Sequence, residues 1–314
     1  MVYLLTRPTD DTTLLVIQWL INFKKDFERL SFINDFLKLN FKSDVINLKS
    51  DSDLYSSTNS FYFNGGNLTV PPLPIEDKEL NLQISRFLEN EAKTIFSFLG
   101  SENLMNKTFG LNPASEFKIN KLKVLKEASK VGFIIPPSEV VITKKALQHC
   151  KNKWGRIINK SIDNGIRINT SQIILSGQQT IEVTDEIING MAEEFLPSFI
   201  QKLVEKEFEI RVFYFQKDIH AVAIFSQSDE QTRIDGRQDN HDNPIRQVPF
   251  DLPEDLKMKI STLMENVGLN YGSLDFIYTT DQQYCFLEVN PYGQYGFLSS
   301  AGNFYIEKKI AEYL

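Results

Sequence analysis

The sequence predicts a mixed α/β (α+β) fold, and three observations carry that prediction. The first hundred or so residues alternate strand-like and helix-like apolar runs, the pattern of an open α/β sheet. Residues 207–214 and 219–225 are apolar runs separated by Gln216-Lys217-Asp218, an antiparallel pair. Gly272–Ile277 and Tyr284–Pro291 flank the polar turn Thr279–Gln283 and read as a second hairpin.

In chain order, Val2-Tyr3-Leu4-Leu5-Thr6 is a strand, and Leu14–Leu20 is a buried strand or helix edge. Asp44–Leu48 is another strand of the open sheet. Asn64-Gly65-Gly66-Asn67 is a turn, and Pro71-Pro72-Leu73-Pro74 is a rigid extended segment. Glu76–Leu99 repeats apolar residues at helical spacing, with Gly100 as the stop. Residues 106–115 are loop-like and mark a boundary. Asn120–Val131 forms a helix that Gly132 and Pro136 end. Val140–Thr143 and Ile157–Ser161 are strands, with a polar loop, Ile162–Arg167, after the second. Gln172–Leu175 and Thr180–Val183 flank Ser176-Gly177 and predict a hairpin. Phe199–Val204 is extended, and Pro253–Val267 is a helix ended by Gly268.

The bulk numbers narrow the function. The 314 residues suffice for two or three packed subdomains. A net charge of −7 argues against general nucleic-acid binding, which needs a basic footprint. Cys150 and Cys285 have no metal spacing, and a reducing, cytoplasmic setting suits them. Leu14–Leu20 is too short to span a bilayer, and Asp10-Asp11 stand where a signal peptide would be positive.

Chemistry concentrates toward the C-terminus. Side chains on a strand alternate faces, so Glu288 and Asn290 fall on one face with Phe286, while Leu287 and Val289 take the other. With Asp275 on the neighbouring strand, two carboxylates and an amide oxygen suit Mg²⁺, which also takes phosphate oxygens. A hairpin with an acidic solvent face fits the same spacing. Lys160 ends an apolar strand beside a polar loop, a place from which a lysine reaches phosphates, and Lys121 opens a helix. Glu209 and Arg211 share a strand face, and Arg211 can grip phosphate oxygens in bidentate fashion or form a surface pair. Asp235-Gly236-Arg237 lies in a polar loop, where the arginine can grip a carboxylate or phosphoryl group or stay solvated.

Lys121-Leu122, Gly132, Pro136, Lys160, Gln201-Lys202-Leu203-Val204, Glu209-Ile210-Arg211, Asp235-Gly236-Arg237, Asp275 and Leu287-Glu288-Val289-Asn290-Pro291 together resemble the ATP-grasp ligases over roughly residues 118–314. The finer resemblance is to the peptide maturases of graspetide (ω-ester-containing peptide) pathways, in the grasp-with-spasm branch. It is carried by Phe225–Thr232, Asn270–Phe276 and Phe286–Gly296. Phe61–Gly66 departs from it, lacking the arginines expected of this family.

That resemblance implies an ATP-grasp fold with ATP clamped between two antiparallel sheets. An N-terminal α/β domain would span 1–117, with ATP-grasp subdomains at 118–200 and 201–314. Lys121 and Lys160 would hold α and β phosphates. The Gln201, Lys202 and Val204 backbone would read adenine, and Glu209 would meet the ribose. Asp275, Glu288 and Asn290 would hold Mg²⁺. Arg211 and Arg237, with Asp235 in the same loop motif, would face the γ-phosphate and the acceptor carboxylate, and Ile162–Ile168 would fold over the phosphates. Asp229, Glu230 and His241 are candidates for the base. The implied activity is ATP- and Mg²⁺-dependent macrocyclisation of a ribosomal precursor peptide. Asp or Glu carboxylates would be activated for attack by Thr or Ser hydroxyls (ester) or Lys amines (amide). The leader would dock near residues 170–185, and relatives imply a homodimer. An amino-acid or peptide ligase of the glutamate-ligase type, joining separate molecules, is the alternative. A nucleotide-binding partner protein without turnover is a third class.

Overall fold

The computed structural model describes residues 1–7, 9–32, 36–40, 45–48, 59–64, 70–71, 73–101, 108–110, 120–162, 166–169, 174–177, 180–226 and 245–314. The chain begins with β1 (Val2–Thr6), α1 (Asp11–Asn22), β2 (Phe27–Leu30), β3 (Phe36–Asn40), β4 (Val45–Leu48), β5 (Ser60–Asn64), α2 (Lys78–Ser101) and β6 (Thr108–Gly110). β2-β1-β5-β6 form a parallel sheet. All residues of β1 and β5 are buried, as expected where both faces of a parallel strand are covered.

One open alternative is decided here and two expectations are corrected. Leu14–Leu20 lies within helix α1, which buries Thr13, Val16 and Leu20 at helical spacing; Asp10 caps it by accepting from the Thr12 N–H. Of the expected 44–48 strand, Val45–Leu48 pairs as β4 with β3 and stays out of the parallel sheet. Gly100 does not stop α2, which continues to Ser101; glycine lowers helix propensity without forbidding the conformation.

The middle of the chain holds α3 (Lys121–Val131), β7 (Ser138–Thr143), α4 (Lys144–Trp154), β8 (Ile157–Lys160), β9 (Ile166–Asn169), β10 (Ile174–Gly177), β11 (Ile181–Glu182), α5 (Asp185–Gly190) and β12 (Glu194–Lys202). Asn120 caps α3 through the Leu122 and Lys123 N–H groups, and Gly132 ends it at φ 90°. Among the described residues, the two arms of the expected 172–183 hairpin do not pair with each other. Ser176 and Gly177 are inside β10, which pairs with β9, and β11 pairs with β8. A Ser-Gly pair marks a turn only when the flanking strands choose each other, and here each finds a better-placed partner. The sheet order is β11-β8-β12-β7, with α4 and α5 packed through Leu147, Cys150 and Ile188.

The remainder is β13 (Lys206–Phe215), β14 (Asp218–Phe225), β15 (Arg246–Pro249), α6 (Glu254–Asn266), β16 (Tyr271–Thr279), β17 (Tyr284–Asn290), α7 (Gly296–Gly302) and α8 (Ile306–Tyr313). The antiparallel sheet β15-β14-β13-β16-β17 is sandwiched. Ile210, Val212, Leu274 and Phe276 pack on α3 and α6. Phe213, Phe215 and Tyr271 pack on α8 and the N-terminal layer. Strand alternation produces both faces from one sequence.

Tyr62, Tyr271 and Tyr295 meet in the second core, with hydroxyls 3.1 and 3.5 Å from Tyr62 Oη. Burial holds all three phenols above their usual range, so they stay protonated donors. The cluster ties the N-terminal sheet to β16 and the segment before α7.

Candidate nucleotide and metal site

A cavity of about 360 Å³ opens between the β11-β8-β12-β7 sheet and the five-stranded sheet. Its walls include Ile158, Lys160 and Gln201 from one sheet and Glu209, Arg211, Asp275 and Glu288 from the other. Lys202, Leu203 and Val204, the link between β12 and β13, also line it. The Lys202 N–H donates to Pro137 O at 2.9 Å and the Leu203 N–H to Arg156 O at 3.0 Å, which pins the link.

The centre of the site is a row across three strands. Arg211 on β13 stands opposite Asp275 on β16, and Asp275 stands opposite Glu288 on β17. Arg211 Nη1 lies 2.8 Å from both Asp275 carboxylate oxygens. Arg211 is 6% exposed, and its Nε is buried with no hydrogen-bond partner. The Phe297 ring lies 5.8 Å from the guanidinium carbon, within cation–π range. Lys121, at the start of α3, places its ammonium 3.3 Å from Glu288 Oε2 and 3.3 Å from Ser161 O. Two carboxylates, Asp275 and Glu288, therefore lie side by side, flanked by Arg211 at one end and Lys121 at the other.

A β-bulge corrects the face assignment on β17. Register slips by one residue between the Asp275–Glu288 and Phe276–Phe286 pairs. Phe286 consequently turns into the core with Val289, while Leu287 and Glu288 both line the cavity. Bulges re-aim side chains in this way next to functional sites. Simple alternation places Phe286 on the face of Glu288, and the extra residue undoes that.

Asn290 is paired opposite Ser273 and does not line the cavity. Its Nδ2 donates to Gln294 Oε1 at 2.9 Å, and its Oδ1 accepts the Tyr292 N–H at 3.1 Å. Gln294 does line the cavity. The turn that carries it contains Gly293 at φ +74°, where an added Cβ would lie 2.4 Å from Tyr271 Oη. Gly293→Ala therefore combines a left-handed backbone with overpacking against a buried phenol. We expect a loss of about 2–4 kcal/mol, read as a lower urea midpoint. An unchanged midpoint would show that the turn relaxes freely.

The other expected residues are placed as follows. Lys160 and Gln201 line the cavity. Gln201 is 1% exposed, and its Nε2 donates to Ser138 Oγ at 2.9 Å. Glu209 is ion-paired with Lys206. Asp235 and Arg237 lie outside the described residues, as do Asp229, Glu230 and His241, and so do residues 163–165 of the segment expected to fold over the phosphates. Sequence reasoning missed Arg156 and Lys206, which line the cavity. Arg156 is held by Glu182 at 2.7 Å and Glu205 at 3.0 Å. No local motif marks either residue; only the fold brings them to the cavity. Burial pushes the Cys285 thiol up to about 12, against a smaller lowering by Lys160, so it is no nucleophile at neutral pH.

The donor set fits Mg²⁺. Asp275 and Glu288 supply hard oxygens side by side at the cavity wall. Magnesium is commonly held by one or two carboxylates together with substrate phosphates, so a larger protein cage is not required. Among the described residues, no group of three or more His, Cys, Asp or Glu side chains is arranged to hold a metal.

No family model and no curated protein matches the chain. Solved structures do. The macrocyclase MdnC of Microcystis aeruginosa, bound with its precursor peptide MdnA, superposes with a TM-score of 0.80 at 21% identity, over 100% of this chain and 98% of that one. A Chryseobacterium gregarium RiPP-associated ATP-grasp ligase, in complex with ADP and a leader and core peptide, gives 0.78 at 20%, over 99% and 94%. The fold is that of the ATP-grasp ligases. D-alanyl-alanine synthetase A of Vibrio cholerae is similar at a lower level, 0.57 at 15% identity, over 99% and 96%. In the ATP-grasp chain described here, the cross-strand row lies on the wall of the cavity between the two antiparallel sheets.

Proposed function

We propose that this chain is an ATP- and Mg²⁺-dependent macrocyclase of a ribosomal precursor peptide. The row Arg211–Asp275–Glu288 on the wall of the intersheet cavity, with Lys121 paired to Glu288, carries the reading. Likeness over nearly the whole chain to structures holding a precursor, or a leader and core peptide, supports it. Residues 1–117 then serve as the N-terminal domain, 118–200 as the central ATP-grasp subdomain and 201–314 as the C-terminal one.

Lys121 and Lys160 hold phosphates, the Gln201–Val204 link meets adenine, and Glu209 meets the ribose. Asp275 and Glu288 would hold Mg²⁺; Asn290, the third expected ligand, does not line the cavity and is hydrogen-bonded to Gln294 instead. When bound, Mg²⁺ offsets the negative charge spread over the transferring phosphoryl oxygens. Arg211 adds a fixed positive charge from a buried position, which is worth more there than in water. Arg237, with Asp235, serves the acceptor end.

A peptide carboxylate oxygen attacks the γ-phosphorus, and the bond to ADP breaks, leaving an acyl phosphate. A Thr or Ser hydroxyl of the same peptide attacks the acyl carbon. It loses its proton, and phosphate leaves with the bonding electrons. Each ring removes one water from the peptide. Attack within one chain lowers the entropic barrier. By the same resemblance the enzyme works as a homodimer, and its free cysteines, Cys150 and Cys285, suit a cytoplasmic setting. No helix among the described residues is long and apolar enough to cross a membrane.

The protein, incubated with the small Thr- and Glu/Asp-rich peptide encoded beside it, ATP and Mg²⁺, is expected to lower the peptide mass by one water per ring and release ADP. A mass gain of one residue would mean ligation of separate molecules. Unchanged mass across several neighbouring peptides would end the macrocyclase reading.

A further inference from the structure

A second cavity, about 240 Å³, lies beside the first, and Gln294 lines both. Its walls come from the segment between β1 and α1 (Arg7, Thr9, Asp10), from the first turn of α1 (Thr12), from the end of β5 (Asn64), and from Tyr292 and Gln294. No sequence motif pointed to it.

The charges in this cavity are unequally engaged. Asp10 is saturated: Oδ2 accepts from Thr6 Oγ1 at 2.7 Å, from Asn64 Nδ2 at 2.8 Å and from Thr13 Oγ1, and Oδ1 accepts the Thr12 N–H at 3.2 Å. Asn64 Oδ1 is taken by Tyr271 Oη at 3.3 Å. The backbone of Arg7 is pinned, its carbonyl accepting Arg29 Nη2 at 2.6 Å and the Asp10 N–H at 3.2 Å. Its guanidinium, by contrast, has no hydrogen-bond or ion-pair partner among the described residues. Gln294 spends its oxygen on Asn290, so its amide N–H groups are what it offers. The capacity left in the cavity is therefore donor-rich and carries one unspent positive charge, held on a fixed backbone.

We propose that this cavity takes an acidic side chain, Asp or Glu, of the peptide, with Arg7 gripping the carboxylate and Gln294 donating a second hydrogen bond. A carboxylate is acceptor-only and planar, which matches an arginine fork. The assignment rests on the macrocyclase reading for its peptide, and it makes Arg7 a specificity-determining residue at the wall shared with the nucleotide cavity.

Labelling tests the site without turnover. Phenylglyoxal modification of Arg7, mapped by mass spectrometry on the full chain, should slow at least several-fold with N-acetyl-glutamate N-methylamide and stay unchanged with the glutamine analogue. Equal labelling with acid and amide, or protection by inorganic phosphate alone, overturns the proposal. Kinetics with the precursor form the second arm. Arg7→Gln should cut kcat/KM for the peptide by about 10–100-fold, the size of one lost charge-assisted contact, and leave the KM for ATP in place. Arg7→Lys should restore part of the loss by returning a point charge without the fork. A KM for ATP that moves as far as that for peptide would mean a merely structural role. Acid-specific protection in a protein that leaves every peptide unchanged in mass would sink the macrocyclase reading and keep this site.

Discussion

Glu288→Gln should lose about 10²–10³-fold in kcat and almost nothing in stability. Glutamine keeps the shape and one oxygen but removes the charge that opposes a divalent cation, and one lost electrostatic contact of this kind costs about that much in rate. The stability cost is small because the pair with Lys121 is half open to water, with side-chain exposures of 21% and 34%. Pairs of that sort contribute roughly 0–1 kcal/mol. Steady-state ADP release checks the first quantity and a urea titration the second. Near-normal turnover would place the metal elsewhere. A large fall in midpoint would mean that Glu288 holds β17 against α3 and that the rate loss is only structural.

Phe286→Ala should behave in the opposite way. Phe286 is fully buried, stacked on Phe133 at 5.5 Å and edge-on to Phe276 at 5.4 Å. Its N–H also donates to Ile134 O at 2.8 Å, joining β17 to the segment after α3. Emptying that volume costs about 3–5 kcal/mol. Leu287→Ala, at the cavity wall, should cost far less, because Leu287 is only partly buried. The comparison decides the bulge. Strict alternation reverses the order of the two variants, since it puts Leu287 in the core and Phe286 with Glu288. Urea midpoints of the two side by side settle which holds.

Much of this chain is legible without coordinates. The α3 helix, with Asn120 before it and Gly132 after it, is written in local capping chemistry. The hairpins built from β13 with β14 and from β16 with β17 follow from apolar runs broken by polar turns. The metal-suited carboxylates follow from residue type and from a resemblance that spans most of the chain. The failures share one cause. Ser176-Gly177 looks like a turn, and 44–48 looks like part of the open sheet, yet strand partners are chosen across the fold. Arg7, Arg156 and Lys206 carry no motif and reach their cavities only because distant strands deliver them.

By itself the sequence determined the element types, the acidic and basic residues available to the site, and the face that most of them take on their own strand. Those are short-range properties, set by backbone sterics, capping and side-chain alternation. The tertiary structure alone decided that Arg211, Asp275 and Glu288 form one row and that Phe286 leaves it. Register between strands is fixed by hydrogen bonding and packing over long separations, and a single inserted residue changes it.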